Sequence, residues 1–229
     1  MGTMTRDEMK RAAAVAAIEY LQPGMTVGVG TGSTADWFIT LLSELPAARR
    51  PAAAVASSLV TAAALRAAGI RVLDPAAAPY PLPLYVDGAD EVDPELRLIK
   101  GGGGAHTREK AVATASELFV CMVDESKLVE RLGRAPVPLE VVPWAAAFVA
   151  KRVTALGGHP AARSGLLTDN DNIVIDVTGL ELSDPEGLEL ELDAIPGVVA
   201  CGIFARRRAD LVLVGTARGV RRLSGRRTP

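Results

Sequence analysis

The sequence predicts an α/β protein, an open layered domain with a smaller α+β domain inserted into it. Up to about residue 129, short apolar segments alternate with segments of helical spacing. Continuously apolar strands between helices are typical of a parallel sheet covered on both faces, so this part is predicted to be Rossmann-like. Beyond it the order becomes β-α-β-β-α-β, which is the split unit of ferredoxin-like domains.

The domain boundaries follow from this change of pattern. The main α/β catalytic domain is predicted to take residues 1–129 and 207–229, and the ferredoxin-like domain residues 130–206. The last apolar segment, 209–215, is predicted to be a strand that returns to the first sheet. The basic segment 221–229 is expected to be a solvated tail.

The elements of the main domain are predicted from caps and periodicity. Thr5 and Glu8 have the spacing of a capping box, and an alanine-rich helix follows to about residue 21. Later helices follow the spacing of apolar residues, and strands are apolar runs beside turn residues. The predicted strands are 25–29, 52–57, 70–73, 82–87, 96–99 and 118–124, and the predicted helices are 34–45, 59–69 and 107–116.

The small domain is predicted in the same way. Asn and Asp residues between two apolar runs indicate a hairpin, and Pro185 suits the first position of a helix. The predicted strands are 135–142, 164–168, 172–177 and 198–205, and the helices are 144–156 and a segment that begins near residue 185.

Composition limits the classes of function. The chain has 229 residues, 49% of them apolar, and a net charge of −2, which gives no basic field for a nucleic acid. Cys121 and Cys201 lie in apolar runs and are predicted to be buried free thiols. Because the sequence has neither a signal segment nor a run of 18 apolar residues, a cytoplasmic protein with no membrane partner is expected.

A glycine-rich turn joins the first strand to the second helix. Gly28, Gly30 and Gly32 allow backbone N–H groups to approach an anion, and the helix N-terminus adds positive potential. Three hydroxyl residues stand beside them, Thr31, Ser33 and Thr34. The pattern matches neither a Walker A loop nor a dinucleotide fingerprint. Binding of one phosphate group is favoured over a purely structural turn.

An acidic cluster follows the strand 82–87, at a strand end where open α/β sheets bind ligands. A surface loop, a metal site and a carboxylate pair for a polyol all remain possible from these residues alone. Asp87 and Asp90 flank Gly88 and Ala89, so both carboxylates could face one small ligand and pass protons. Glu91 and Asp93 are expected to face solvent or to cap.

A second glycine loop precedes the helix 107–116. Lys100 could neutralise an oxyanion, and the glycines after it, Gly101, Gly102, Gly103 and Gly104, permit close backbone approach. Local evidence alone makes Glu109 an ordinary exposed helical residue and His106 an incidental loop histidine. Lys127 follows a strand end, where a ligand contact and a solvated lysine are equally favoured.

These segments together resemble ribose-5-phosphate isomerases of the A type. The resemblance rests on GVGTGSTA, YVDGADEVD, IKGGGGA-x-TREK and DESK, and continues through PLEVVP, LLTDNDN, IPGVVACGIFA and ADLVLVGT. These motifs occur in order over nearly the whole chain. The family implies an aldose-ketose isomerase that interconverts D-ribose 5-phosphate and D-ribulose 5-phosphate in the pentose phosphate pathway. It further implies that no metal or organic cofactor is needed, and a homodimer or homotetramer.

The resemblance also implies roles for individual residues. Glu109 matches the general base, and Asp87, Asp90 and Lys100 match the other catalytic positions. The matched substrate-binding residues are Thr31, Gly32, Ser33, Thr34, Asp87, Gly88, Ala89, Asp90, Lys100, Gly101, Gly102, Gly103 and Lys127. His106 and the run Arg206, Arg207 and Arg208 depart from the family pattern.

The implied mechanism passes through an enediolate, with Asp87 assisting ring opening, Lys100 stabilising negative charge and Asp90 orienting hydroxyls. Either the GTGST segment, residues 30–34, or the second glycine loop could hold the phosphate. Three other functions fit the layered fold, namely a non-catalytic sugar-phosphate sensor, an amino-sugar-phosphate deaminase and a CoA transferase. A basic helix pair, a histidine relay and a CoA site, respectively, would favour them, and the sequence shows none of these features.

Overall fold

The computed structural model describes residues 4–225, which divide into two compact units. Within the described residues, the first unit comprises 4–89, 111–127 and 209–225, and the second comprises Asp90–Lys110 and Leu128–Arg208. The helices are α1 (Arg6–Ala17), α2 (Ser33–Glu44), α3 (Leu59–Ala67), α4 (His106–Thr114), α5 (Ala146–Ala155) and α6 (Pro185–Asp193).

The strands alternate with these helices in the first unit and form two further sheets in the second. Their bounds are β1 (Thr26–Val29), β2 (Ala53–Ala56), β3 (Leu82–Asp87), β4 (Glu91–Val92), β5 (Leu98–Ile99), β6 (Ser116–Asp124), β7 (Val137–Val141), β8 (His159–Leu167), β9 (Ile173–Thr178), β10 (Val198–Cys201), β11 (Ile203–Phe204), β12 (Leu211–Thr216) and β13 (Gly219–Ser224).

The first unit contains a six-stranded sheet in the order β13-β12-β6-β3-β1-β2. All of its pairings are parallel except that of β12 with β13. Its core combines buried strand residues such as Val86 and Met122 with helix residues such as Phe38 and Leu42. The predicted open α/β layer structure is confirmed.

Helix α1 packs closely on this sheet because its buried face is made of alanine. Ala13, Ala14 and Ala17 are fully buried. A Cβ atom at Gly215 of β12 would lie 1.9 Å from the carbonyl oxygen of Met9, so the helix and strand backbones nearly touch. The predicted capping box starts the helix, which ends at Ala17 and is followed by a 3-10 turn.

Two predictions for the first unit were wrong. The predicted strand 70–73 is reduced to a single parallel bridge between Ala54 and Val72. The predicted tail begins with Arg221–Ser224, which belongs to β13, because the turn after β12 returns the chain as an antiparallel edge strand. Residues 226–229, and the limits 1 and 229 of the predicted main domain, lie outside the described residues.

The second unit contains a four-stranded antiparallel sheet in the order β10-β7-β9-β8. With α5 after β7 and α6 after β9, its element order is the predicted β-α-β-β-α-β, and the ferredoxin-like unit is confirmed. Buried residues of β7, β9, α5 and α6 form its core. Strand β8 begins at His159, earlier than the predicted segment 164–168.

The second unit also takes in residues 90–110, which the sequence-based boundaries place in the main domain. The physical reason is a three-stranded sheet in the order β11-β5-β4, since β5 pairs with both β4 and β11. These strands are only two residues long, so their partners could not be recognised from periodicity.

Glu91 and Asp93 were expected to face solvent or to cap; both side chains are buried, so they do not face solvent, and both cap backbone N–H groups. Glu91 accepts hydrogen bonds from the N–H groups of Gly133, at 2.8 Å, and Ala135, at 2.5 Å. Asp93 accepts hydrogen bonds from the backbone of a tight turn and from Arg97 Nε, at 2.6 Å. Both acids therefore hold backbone segments of the second unit in place.

The longest described helices, α1 and α2, have 12 residues each. None within residues 4–225 is both long enough and apolar enough to cross a bilayer.

Candidate active site

The predicted site residues fall in two sets, one in each compact unit. The first unit holds residues 31–34, 87–89 and 127, and the second holds residues 90, 100–103 and 109. In the first unit the set gathers at the carboxyl ends of β1, β3 and β6, which is where ligands bind in open α/β sheets.

Asp87 ends β3 and is fully buried. Its Oδ1 accepts hydrogen bonds from the N–H groups of Gly88, at 2.7 Å, and Thr31, at 3.2 Å. The Tyr85 hydroxyl donates to Oδ2. These donors fix the carboxylate in one orientation and stabilise its negative charge.

Gly30 leaves the space that this carboxylate fills. A Cβ atom at Gly30 would lie 1.8 Å from Cγ of Asp87, a distance that no side chain can occupy. The glycine is therefore required by the close approach of β1 and the Asp87 side chain.

The hydroxyl group of Thr31 is turned towards the ends of β2 and α3. Its Oγ1 lies 2.8 Å from Oγ of both Ser57 and Ser58, and 3.0 Å from Oγ1 of Thr61. Thr61 donates in turn to the carbonyl oxygen of Gly30, at 2.8 Å. These hydrogen-bonded hydroxyl groups stabilise the turn, so the Thr31 side chain supports the GTGST segment from the side of β2 and α3.

The N-terminus of α2 carries the remaining residues of the GTGST segment. Gly32 is the N-cap, with a positive φ of 119° that favours glycine, and the helix begins at Ser33 and Thr34. Lys10 of α1 donates from Nζ to Oγ of Ser33, at 2.9 Å. A lysine thus adds its charge to the positive end of the helix.

Sequence reasoning missed Lys10. It lies 23 positions before Ser33, and the sequence there shows only a helix start with charged residues on its polar face. No local pattern joins the two positions, because their contact depends on the packing of α1 beside α2.

Lys127 ends a short 3-10 turn that follows β6. The buried Asp124 begins this turn by accepting a hydrogen bond from the N–H group of Ser126, at 3.0 Å. Since β6 lies beside β3 in the sheet, Lys127 and Asp87 follow neighbouring strand ends.

In the second unit, Lys100 and Glu109 form a buried ion pair. Lys100 Nζ lies 3.1 Å from Glu109 Oε2, and the two side chains are 3% and 4% exposed. The ammonium group also lies 5.6 Å from the ring centroid of Phe204. The local expectation of an exposed helical glutamate was therefore wrong.

The fold brings this pair together through the start of α4. Glu109 lies in the first turn of the helix, where the helix field favours a negative charge. Lys100 comes directly after β5, whose partner β11 ends at Phe204. The short sheet therefore places the lysine and its aromatic neighbour beside the helix.

Residues 101–104, here called the glycine loop, hold Asp90. The N–H group of Gly102 donates to Oδ2 of Asp90, at 2.8 Å. Gly101 has a φ of 105°, and a Cβ atom there would lie 2.6 Å from Pro138 and 2.7 Å from Nδ1 of His106. Gly101 cannot be replaced without moving the loop that orients Asp90.

The expectation that His106 is an incidental loop residue was wrong. It is the first residue of α4, it is buried, and its Nε2–H donates to the carbonyl oxygen of Ala200, at 3.1 Å. Burial lowers the pKa of His106 to about 4, and the hydrogen bond to Ala200 only partly opposes this shift. A neutral imidazole therefore packs below the glycine loop.

Lys110, which follows Glu109 in the sequence, has a separate role. Lys110 Nζ donates to Glu189, at 2.8 Å, and to the carbonyl oxygen of Ile203, at 2.8 Å. Glu189 also accepts from the N–H groups of Ala205 and Arg206, both at 2.9 Å. The Lys110–Glu189 pair thus anchors the start of the arginine run, and sequence reasoning did not single it out.

Both cysteines are buried free thiols, as predicted. Burial raises the pKa of Cys201 to about 12, so its thiol stays protonated. Among the described residues, no cluster of three or more histidine, cysteine or acidic side chains is arranged to hold a metal ion.

Comparison with known proteins gives one consistent result. The family profile described as ribose 5-phosphate isomerase A (phosphoriboisomerase A) matches residues 53–219. The chain is 53% identical to the ribose-5-phosphate isomerase A of Acidithiobacillus ferrooxidans, over 95% of this chain and 98% of that protein. It is 51% identical to that of Bordetella bronchiseptica, over 97% and 99% of the two chains.

Solved structures agree with these relatives. The ribose 5 phosphate isomerase A of Neisseria gonorrhoeae superimposes with a TM-score of 0.94 at 42% identity, covering 97% of this chain and 99% of that one. A D-ribose-5-phosphate isomerase in complex with phospho-erythronic acid superimposes with a TM-score of 0.91 at 37% identity, covering 96% and 100%. The family profile matches well over half of the chain, the relatives and solved structures match nearly its full length, and the chain belongs to the ribose 5-phosphate isomerase A family.

Proposed function

We propose that this chain interconverts D-ribose 5-phosphate and D-ribulose 5-phosphate in the non-oxidative pentose phosphate pathway. The observation that carries the proposal is the buried Lys100–Glu109 pair beside the glycine loop, in a chain of this family. The relative in complex with phospho-erythronic acid, a phosphorylated sugar acid, supports a sugar phosphate as the ligand. A cytoplasmic homodimer or homotetramer is part of the same proposal.

Glu109 serves as the general base. It removes the proton on the carbon next to the carbonyl group and returns it to the neighbouring carbon, which converts aldose to ketose through an enediolate. The ion pair with Lys100 supports this role because an ammonium group next to a buried carboxylate favours its charged form. When substrate is bound, the Lys100 charge offsets the negative charge that develops on the enediolate oxygens.

Asp87 and Asp90 act on the sugar hydroxyl groups. Asp87 assists ring opening by proton transfer at the ring oxygen or the anomeric hydroxyl. Its three donors, Thr31, Gly88 and Tyr85, support this role because they keep the carboxylate in one orientation. Asp90, held by Gly102, orients the hydroxyl groups of the open chain.

The phosphate group binds at the N-terminus of α2. Ser33, Thr34 and the helix field supply donors and positive potential there, and Lys10 adds a full charge next to Ser33. Gly88, Ala89 and Lys127 contribute to the same ligand from neighbouring strand ends. The alternative, in which the glycine loop holds the phosphate, leaves no comparable use for Lys10.

The reaction is tested by following ribulose 5-phosphate formation from ribose 5-phosphate, with and without a strong chelator. The expected result is turnover that the chelator does not change. A sugar-phosphate sensor would bind without turnover, a deaminase would release ammonia from an amino-sugar phosphate, and a CoA transferase would require an acyl-CoA. Absence of ribulose 5-phosphate formation by the folded protein would contradict the proposal.

A further inference from the structure

Arg163 of β8 joins a carboxylate to the glycine loop. Its Nε and Nη2 donate to the two oxygens of Asp176 on β9, at 2.5 and 2.6 Å. Its Nη1 donates to the carbonyl oxygens of both Gly101 and Gly102, at 3.0 Å each. The guanidinium group therefore spans from a fixed strand to two successive carbonyl groups of the loop.

These contacts fix the orientation of the peptide group between Gly101 and Gly102. A trans peptide is planar, and its C=O and N–H bonds point in opposite directions. The C=O of Gly101 accepts from Arg163, and the N–H of Gly102, on the other side of the same peptide, donates to Asp90. The N–H group of Gly104 also donates to the C=O of Gly101, at 2.9 Å, within the turn. Rotating the peptide would break all three bonds, so Arg163 reinforces the turn in orienting the donor that holds Asp90.

The next peptide group is constrained in the same way. Because the C=O of Gly102 also accepts from Arg163, the N–H of Gly103 points to the opposite side of the loop. A Cβ atom at Gly103 would find no other atom within 4 Å, so this part of the loop borders open space. The N–H of Gly103 therefore lies on the side of the loop away from Arg163.

The surroundings of Arg163 argue against a role in ordinary packing. Most residues of β8 are exposed on both faces of the sheet edge, whereas the Arg163 side chain is 20% exposed because it lies over its partners. A planar guanidinium can bind both oxygens of a carboxylate with two parallel donors and direct a third nitrogen to another group, whereas the three donors of lysine share a single nitrogen. These contacts therefore require arginine. Arg163, with its bonds to Asp176, Gly101 and Gly102, is here called the clamp.

We propose that Arg163, held by Asp176, is a positioning residue that sets the glycine loop so that Gly102 orients Asp90 and Gly103 presents its N–H group to the negatively charged ligand. The effect on the loop follows from contacts within the second unit. The kinetic consequence rests on the proposed isomerase function.

The first test compares Arg163→Ala with Arg163→Lys in the ribose 5-phosphate assay. Loss of an oriented, charge-assisted contact should lower kcat of the alanine variant about 10- to 100-fold. KM should change less, by about threefold or below, because orientation matters most in the transition state. The lysine variant should recover only part of the loss. Added guanidinium ion should restore kcat of the alanine variant, and sodium chloride at equal ionic strength should not.

The control is Arg131→Ala. Arg131 belongs to the same unit and pairs with Glu181, but both side chains are largely exposed, at 69% and 73%, and the pair does not touch the loop. Its kcat should equal that of the unchanged chain. An Arg163→Ala variant with unchanged kcat, or with a loss that guanidinium ion does not restore, would overturn the proposal.

A second measurement separates the clamp from the chemistry. Amide hydrogen exchange at Gly102 should accelerate in Arg163→Ala and stay unchanged in Arg131→Ala. If the unchanged chain shows no isomerase activity while Gly102 responds in this way, the proposed function fails and the clamp stands. If activity is present and Gly102 exchange is the same in Arg163→Ala, the clamp fails and the function stands.

Discussion

Glu109 lies in surroundings that its sequence neighbours do not reveal. The residue has an ordinary helical context, yet the structure buries it against Lys100 and beside the glycine loop. Burial of a carboxylate costs little free energy only when a partner of opposite charge compensates it, so Glu109 and Lys100 must be considered together. The predictions at this scale therefore replace each member of the pair in turn.

Replacing the base tests the assignment of Glu109. Glu109→Gln keeps the volume and removes the proton acceptor, so kcat should fall at least about 100-fold, the lower end for general-base catalysis. Circular dichroism should show that the variant remains folded. The assignment would be falsified if kcat stayed near that of the unchanged chain.

Replacing the cation tests the role of Lys100. Lys100→Ala should lower kcat, because the ammonium charge is most useful when the enediolate forms. Steady-state kinetics on ribose 5-phosphate separate kcat from KM. A variant in which only KM rises would show that Lys100 contributes to substrate binding and not to the transition state. Arg131→Ala serves again as the exposed cation of the same unit.

At the scale of secondary-structure elements, the strand ends of the first unit determine which side chains can lie in the candidate site. The turn after β1 carries Gly30 because the Asp87 carboxylate occupies the space of a side chain. The side chain of Thr31, in the same turn, is held by hydrogen bonds with three hydroxyl groups. The turn is therefore a support for Asp87 as well as a helix start.

Gly30→Ala should disturb both stability and activity. The added methyl group must displace Asp87, and overpacking of this kind destabilises proteins by about 1–3 kcal/mol. Urea unfolding measures the change, and kcat should fall because Asp87 loses its orientation. Gly103→Ala is the matched comparison for stability, since a Cβ atom there meets no atom within 4 Å. Its free energy of unfolding should change by less than about 0.5 kcal/mol. Equal destabilisation by both substitutions would contradict the explanation.

Prediction from the sequence was most accurate for elements with strong periodicity. Strands such as β3 and β6 are long apolar runs, and they lie within a residue or two of their predicted places. The segment 70–73 was predicted as a strand, but only Val72 forms a bridge. Strand β13 shows the opposite error, since part of it was predicted as a solvated tail. Its charged residues give no strand pattern, and it forms an edge strand only because it pairs with β12.

At the scale of the whole molecule, the neutral buried His106 makes stability depend on pH. Its pKa is about 4 in the folded protein, below the usual value of 6.5. Between these values the unfolded chain binds a proton that the folded chain does not, so stability rises with pH. The contribution is complete above pH 6.5 and is lost as the pH falls towards 4.

His106→Gln should remove this dependence while keeping a donor for Ala200. The unchanged chain should lose about 2 kcal/mol more than the variant between pH 7 and pH 5, as the pKa difference requires. Urea unfolding at the two pH values gives the comparison. His159→Gln is the control, because His159 is exposed at the start of β8. An equal loss in the unchanged chain and in His106→Gln would show that His106 stays accessible to protons.

The candidate site was predicted in its types of residue but not in its contacts. Glycine loops, acids and lysines at strand ends are visible in the sequence, and the family resemblance assigned Glu109 its role. Lys10 and Arg163 were not singled out, because each acts on a loop far away in the chain. Such contacts depend on which elements pack together, and no local pattern records that.

The sequence by itself determined the α/β and ferredoxin-like classes, since periodicity and turn residues act over a few positions. It also determined the chemical groups available for proton transfer. The tertiary structure alone decided which partner each of these acids meets. Glu91 holds backbone at Gly133, whereas Glu109 meets Lys100, although both are buried glutamates. The difference lies in the partner, and partners distant in sequence are selected only when the chain packs.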